Sequence, residues 1–227
     1  APVAGTIESI QRGERRHFIS ISIKPNGSAP AALGIAYGTV DKVNDLGREK
    51  IVELLNQYGL WSSLRQRPFD KVPALASQPH SIFVNTMDSN PLAFDPLLLL
   101  QEGDREQDYL MGLAVLQNLT AGAVHIVKKA GAKLPAHQLA RGQEHEFGGM
   151  VGTHIHFIDA VGPQKTVWYL SLQDLLMIGE FFRTGVLNGT KVVAVVGPGV
   201  KQPQLVRVHR GVDSQALLAD NLQEGEQ

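Results

Sequence analysis

The 227-residue sequence contains no cysteine. That absence excludes a disulfide framework, thiolate zinc sites, cysteine-held iron–sulfur clusters and cysteine nucleophiles, so any metal would need His and carboxylate ligands. No surplus of either charge is present: 21 Lys and Arg stand against 22 Asp and Glu, a formal net charge of -1. A basic footprint for nucleic acid and an acidic tail are both missing, and no nucleic-acid partner is expected. Long apolar runs are missing too. Stretches such as residues 97–100 and 192–196 fall far below the roughly 18 residues that suggest a membrane span, so a soluble polypeptide is expected. There is no initiating Met and no signal-peptide pattern, and residues 1–7 run straight into a strand, which reads as a start inside a domain. What is present looks globular: 43% hydrophobic residues, with 23 Gly and 12 Pro spread along the chain.

Residues 6–10 and 18–23 read as strands flanking a polar segment, the second alternating cleanly between apolar and polar. Pro25-Asn26-Gly27-Ser28-Ala29-Pro30 reads as a turn-rich linker and marks a boundary near residue 25. Ile51, Leu54, Leu55 and Tyr58 fall at helical spacing, with Asn44 or Asp45 able to cap the start and Gly59 suited to the end. Residues 81–85 and 123–127 read as strands around a helix over 108–119, a βαβ unit with a parallel pair. Residues 153–158 and 165–169 continue the strand pattern, as a hairpin or a long loop. Ser171-Leu172-Gln173-Asp174 matches a capping box before the apolar run of Leu175, Leu176, Ile178, Phe181 and Phe182. Strands over 191–196 and 205–208 and a short helix at Leu217-Leu218 close the chain.

Gly197-Pro198-Gly199 follows a strand, but the chain then enters another strand instead of a helix, so a hairpin turn outweighs a dinucleotide site. On a strand, His154 and His156 would share a face, and such a pair can supply two metal ligands. A metal-dependent enzyme built on His154 and His156 is therefore one rival functional reading, against histidines merely satisfied by neighbours, and a carrier module of the lipoyl or biotinyl kind, suggested by the N-terminal strands, is the other. Leu64-Arg65-Gln66-Arg67-Pro68-Phe69-Asp70-Lys71 places three cations and one aromatic in eight residues. Such a loop can grip an anion or face a planar ring, or be only a solvated loop. Asn85-Thr86-Met87-Asp88-Ser89-Asn90-Pro91 sits where a parallel strand ends, the usual ligand edge of an open α/β sheet, and is equally a turn sequence.

These residues resemble those of a known family. Ala1-Pro2-Val3-Ala4-Gly5-Thr6-Ile7, residues 59–73 (GLWSSLRQRPFDKVP), residues 82–93 (IFVNTMDSNPLA), residues 151–157 (VGTHIHF) and residues 192–198 (VVAVVGP) are similar to the A-subunit family of the bacterial Na+-translocating NADH:quinone oxidoreductase, in the same order and over essentially the whole chain. The resemblance implies an internal fragment, lacking the first half of an N-terminal barrel-sandwich and a C-terminal region. One departure is a stretch between Phe147 and Gly152 that is longer in the family and carries a Gly-Pro-His-Pro element; here only Gly148-Gly149-Met150-Val151 stand there.

The family is similar in plan to the flavoprotein subunit of respiratory complex I, whose corresponding loop is glycine-rich and cradles a flavin phosphate. Residues 62–73 contain no glycine, and a side chain at every position keeps backbone amides from a phosphate, so no bound cofactor is expected in this chain. The expected fold is α/β: a Rossmann-like parallel-sheet core over 45–170, a partial barrel-sandwich segment over 1–25, a connecting helix over 171–185 and a β-grasp-like domain over 186–227. The resemblance implies a peripheral subunit on the cytoplasmic face of the bacterial inner membrane, partnered with other subunits, especially the membrane B-subunit. It implies ubiquinone as substrate, with flavins and an iron–sulfur cluster held by partner subunits and no catalytic residue in this chain. The vacated cleft is expected to meet the quinone through Leu64, Arg65, Arg67, Pro68, Phe69 and Lys71, with Asn85, Asp88, His154 and His156 lining it.

Overall fold

The computed structural model describes residues 3–28, 33–148 and 150–223. Ala1 and Pro2 of the strand entry, Ala29 and Pro30 of the linker sequence and Gly149 of the shortened stretch lie outside the described residues. Backbone contacts divide the chain into two units. One spans Leu33–Val186, and the other combines Ala1–Ala32 with Leu187–Gln227.

The larger unit is a five-stranded sheet with helices on both faces, and its strand order is β3-β7-β4-β5-β6. The strands are β3 (Arg65–Arg67), β4 (Ser81–Asn85), β5 (Ala123–Lys128), β6 (Glu144–Glu146) and β7 (Val167–Ser171). The β4, β5, β6 and β7 strands run parallel, and only β3 pairs antiparallel, with Arg65 opposite Tyr169 and Arg67 opposite Val167. Central β4 is buried along four of its five residues, as befits a strand covered on both faces. The mixed α/β class expected from the alternation of strand and helix patterns is the one observed.

One face carries α2 (Gly47–Gln57), α3 (Arg105–Leu119) and α5 (Leu172–Thr184). Ile51, Leu54 and Leu55 of α2 are buried as their spacing predicts, and Gly59 takes the left-handed conformation just past it (φ 74). The start of α2 differs from the expected cap. Asn44 ends a separate short helix, α1 (Val40–Asn44), Asp45 follows it, and Leu46 precedes α2 with no side-chain cap. In α5 the capping-box reading holds: the Ser171 hydroxyl accepts from the Asp174 N–H at 3.1 Å, and Gly185 (φ 70) ends the helix.

The other face is covered by α4 (Val151–Asp159), and here the strand expected over 153–158 is overturned. Val151, Ile155 and Ile158 fall at i, i+4 and i+7 and pack with Phe83, Val127 and Val167. The alternation Thr153-His154-Ile155-His156-Phe157 fits a strand equally over so few residues. Burial against the sheet, satisfied only by the helical stripe, decides between them.

The smaller unit holds two antiparallel ribbons, β1 (Gly5–Arg12) with β2 (Phe18–Pro25) and β8 (Thr190–Val195) with β9 (Gln204–His209), followed by α6 (Ser214–Leu218). The Gly197-Pro198-Gly199 sequence lies in the β8–β9 connection, as the hairpin reading requires.

Candidate functional site

Open α/β sheets place ligands beyond the carboxyl ends of their parallel strands, where loops and helix N-termini converge. A cavity of about 650 Å³ occupies that position in the larger unit, within the roughly 300–1,000 Å³ usual for small-molecule sites. Its walls come from Asn85 at the end of β4, the Met87–Asn90 segment beyond it, Tyr169 to Leu172 at the β7–α5 junction and Met150 to Thr153 at the start of α4, with Arg67 reaching in from edge strand β3. The β7 register places Tyr169 beside Phe83 on the α4 face.

Arg67 is the polar anchor. Its guanidinium lies 5.5 Å from the centroid of the Tyr169 ring, and its Nε is buried with no hydrogen-bond partner. Stacking on an aromatic face leaves a guanidinium's edge free to donate, which suits a carbonyl or anionic oxygen in the cavity. The Tyr169 hydroxyl donates to Asp70 Oδ1 at 2.5 Å, and burial together with that carboxylate pushes the Tyr169 phenol up from its ordinary range. Phe69 (φ 75) and Asp70 (φ 48) are both left-handed without being glycine, a conformation that costs on the order of 1 kcal/mol or more each. Two bonds hold this turn, Tyr169 to Asp70 and the Gln66 N–H to the Lys71 carbonyl at 2.7 Å.

Of the residues singled out in the sequence, Arg67, Asn85 and Asp88 meet at this cavity. The others stand elsewhere. Leu64 is fully buried in the core, Arg65 and Lys71 are exposed, Pro68 is half-buried, and Phe69 is 84% exposed at the turn. His154 and His156 do not form a pair. On α4 two residues apart means opposite faces, so His154 is buried against the sheet while His156 points to solvent. The two-ligand face behind the metal reading therefore disappears with the strand.

Reasoning from sequence missed Tyr169 and Asp70, joined across 99 positions, and a histidine cluster beneath α4. His145 Nε2 and His125 Nδ1 lie 3.0 Å apart across parallel strands β6 and β5. His154 stacks near Phe83 and edge-on to Phe147, with neither ring nitrogen bonded. Burial pushes the His154 imidazole down to about 4, helped by His145, and lowers His125 and His145 as well. Among the described residues no group of three or more His, Asp or Glu could hold a metal ion.

The family model described as NqrA second alpha/beta domain matches residues 46–187, which include every strand and helix around the cavity. The chain is 42% identical over 231 residues to the A-subunit of the Na(+)-translocating NADH-quinone reductase of Haemophilus influenzae strain PittGG, covering 99% of this chain and 51% of that protein. It is 43% identical over 229 residues to the protein of the same name from Marinomonas sp. strain MWYL1, covering 100% and 51%. It is 41% identical over 235 residues to that of Neisseria meningitidis serogroup A, covering 98% and 50%. The chain thus spans about half the length of the curated relatives it matches.

Proposed function

The chain belongs to the NqrA family, and from that premise we propose that it forms part of a peripheral subunit of a sodium-translocating NADH:quinone reductase, in which it receives the ubiquinone headgroup. The single observation that carries the reading is the cavity at the carboxyl ends of β4 and β7, with Arg67 stacked on Tyr169 at its wall. A quinone asks for an apolar slot and a donor for a carbonyl oxygen. Met87, Phe94 and Leu170 furnish the first, and the Arg67 guanidinium the second.

In this reading the chain binds no flavin and no iron–sulfur cluster. Those groups lie in partner subunits, with the membrane B-subunit among its neighbours, at the cytoplasmic face of the inner membrane. What supports a flavin-free chain is the use already made of residues 62–73. The segment has no glycine, its middle is paired with β7 as strand β3, and the amides of Leu64 and Gln66 are bonded to Trp61 and Lys71. A phosphate cradle needs amides that are free and unshielded. No helix among the described residues is long and apolar enough to cross a membrane, so attachment through partner subunits fits.

Calorimetric titration of the protein with a short-chain ubiquinone tests the reading. Arg67→Leu should weaken binding roughly 10- to 100-fold, the usual worth of a hydrogen bond from a charged donor, and Tyr169→Phe should weaken it less, because the ring on which Arg67 stacks is kept. Unchanged affinity in Arg67→Leu removes the cavity from the site. A stoichiometric flavin band in the purified protein contradicts the flavin-free reading.

A further inference from the structure

Phe69 adds little to the packing of the chain that carries it. Its ring is 84% exposed, more than any other large apolar side chain among the described residues. Its backbone is left-handed (φ 75), a conformation that Gly or Asn adopts at less cost. The turn beneath it is nevertheless fixed, by the Tyr169 hydroxyl on Asp70 and the Gln66 N–H on the Lys71 carbonyl. Cations flank the ring. Arg65 and Lys71 are exposed, and among the described residues neither is in an ion pair. Asp70 is the only acid between positions 64 and 78, and Tyr169 already engages it. Val72 and Leu75 are further exposed apolar side chains on the same segment.

We propose that the segment over residues 65–71 rests on an anionic phospholipid surface, with the Phe69 ring entering the headgroup layer and Arg65 and Lys71 meeting lipid phosphates. Charge complementarity selects this occupant. The core of a protein interface is depleted of charge and surrounds its anchoring ring with more apolar surface, whereas Phe69 stands between two unpaired cations. A bilayer interface asks for that combination: an apolar side chain that reaches the boundary of headgroups and acyl chains, and cations drawn by the negative surface potential. It needs no matching pocket. Phe69, Arg65 and Lys71 do not line the cavity, so the inference is independent of the quinone reading and its failure leaves that reading intact.

Partition of the whole chain onto lipid vesicles tests it, comparing pure phosphatidylcholine with equal parts phosphatidylcholine and phosphatidylglycerol. Binding should be confined to the anionic vesicles and should weaken as salt is raised. Arg65→Gln and Lys71→Gln should each weaken it roughly fivefold, the worth of one cation at such a surface. Phe69→Asn, a change that the left-handed turn tolerates, should weaken it roughly tenfold, with circular dichroism confirming the fold. Phe69→Trp reports position. Trp61 and Trp168 are buried, so a blue shift on vesicle addition, with quenching by brominated acyl chains, marks entry of the ring at residue 69. Absence of binding to anionic vesicles overturns the inference and points the turn toward a protein partner. Equal binding by wild type and Phe69→Asn, or binding without a blue shift in Phe69→Trp, places the lipid contact elsewhere on the chain and overturns it too. Equal affinity for the neutral vesicles removes the role given to Arg65 and Lys71, and the proposal with it.

Discussion

His154 is a polar residue in an apolar place. Neither ring nitrogen finds a partner, the side chain is fully buried, and its neighbours are Phe83, Phe147 and the His125–His145 pair. Protonation there would bury an unpaired cation, so its folded-state pKa falls to about 4. An unfolded histidine titrates near 6.5. Between those values the unfolded chain binds more protons than the native one, so stability rises with pH through that window. The contribution is fully present above about 6.5 and is lost as pH falls toward 4, on the order of 3 kcal/mol in all. His125 and His145, lowered chiefly by burial, add to it with the same sign. Urea midpoints measured from pH 7.5 to 4.5 should therefore fall steeply below about pH 6.5, and His154→Leu should flatten the slope. An unchanged slope in that variant would assign the acid sensitivity to other groups. At this scale the sequence was legible for Asn85 and Asp88, at and just beyond the end of β4, whereas Arg67 was singled out as a loop cation and not for the edge strand that carries it to the cavity. It was silent on Asp70 with Tyr169 and on His125 with His145, because register between strands distant in sequence decides which side chains meet.

Among the elements, α3 and α5 depend on each other most closely. Glycines stand where they cross: a Cβ on Gly179 would overlap the Asp108 carbonyl, and one on Gly112 would meet the Leu175 carbonyl. Backbone approach this close lets the buried Asp108 carboxylate receive the Arg183 Nε at 2.7 Å and the Arg105 Nη1 at 3.1 Å, with Glu180 completing the network on Arg105 at 2.9 Å. Gly179→Ala must push the helices apart and should cost about 2–3 kcal/mol, an overpacking penalty compounded by stretched charge pairs. A thermal melt checks it; a loss below about 0.5 kcal/mol would mean that the crossing is softer than its geometry. Helices α2, α3 and α5 were readable from periodicity because each has at least eleven residues, and α5 from its cap as well. The three-residue edge strands were not. Arg65-Gln66-Arg67 and Glu144-His145-Glu146 are polar and too short to show a period. Charged edges of that kind also guard a sheet against unwanted pairing.

For the molecule as a whole, the two units differ in how much apolar surface they remove from water. The unit over Leu33–Val186 holds most of the buried core, from Val43 to Phe182, and at about 150 residues it is in the size range where a domain buries roughly two thirds of its surface. In the other unit, Ile7, Ile10, Ile19 and Ile21 are 45–57% exposed, although the bulge between Ile7 and Ser9 brings Ile7 opposite Ile23 and Ile10 opposite Ile21. A two-stranded ribbon with an exposed apolar face has little holding it beyond its own ladder. Hydrogen exchange should separate the units. Amides of β1 and β2 should exchange through local opening with low free energy, and those of β4 and β5, buried on both sides, only with global unfolding of their unit. The larger unit produced alone should then melt with the same transition it shows within the whole chain and keep the same affinity for a short-chain ubiquinone, since every residue lining the cavity lies inside it. Loss of either property on excision would mean that the smaller unit contributes to the stability of the sheet, and that the cavity is not the property of the α/β unit alone.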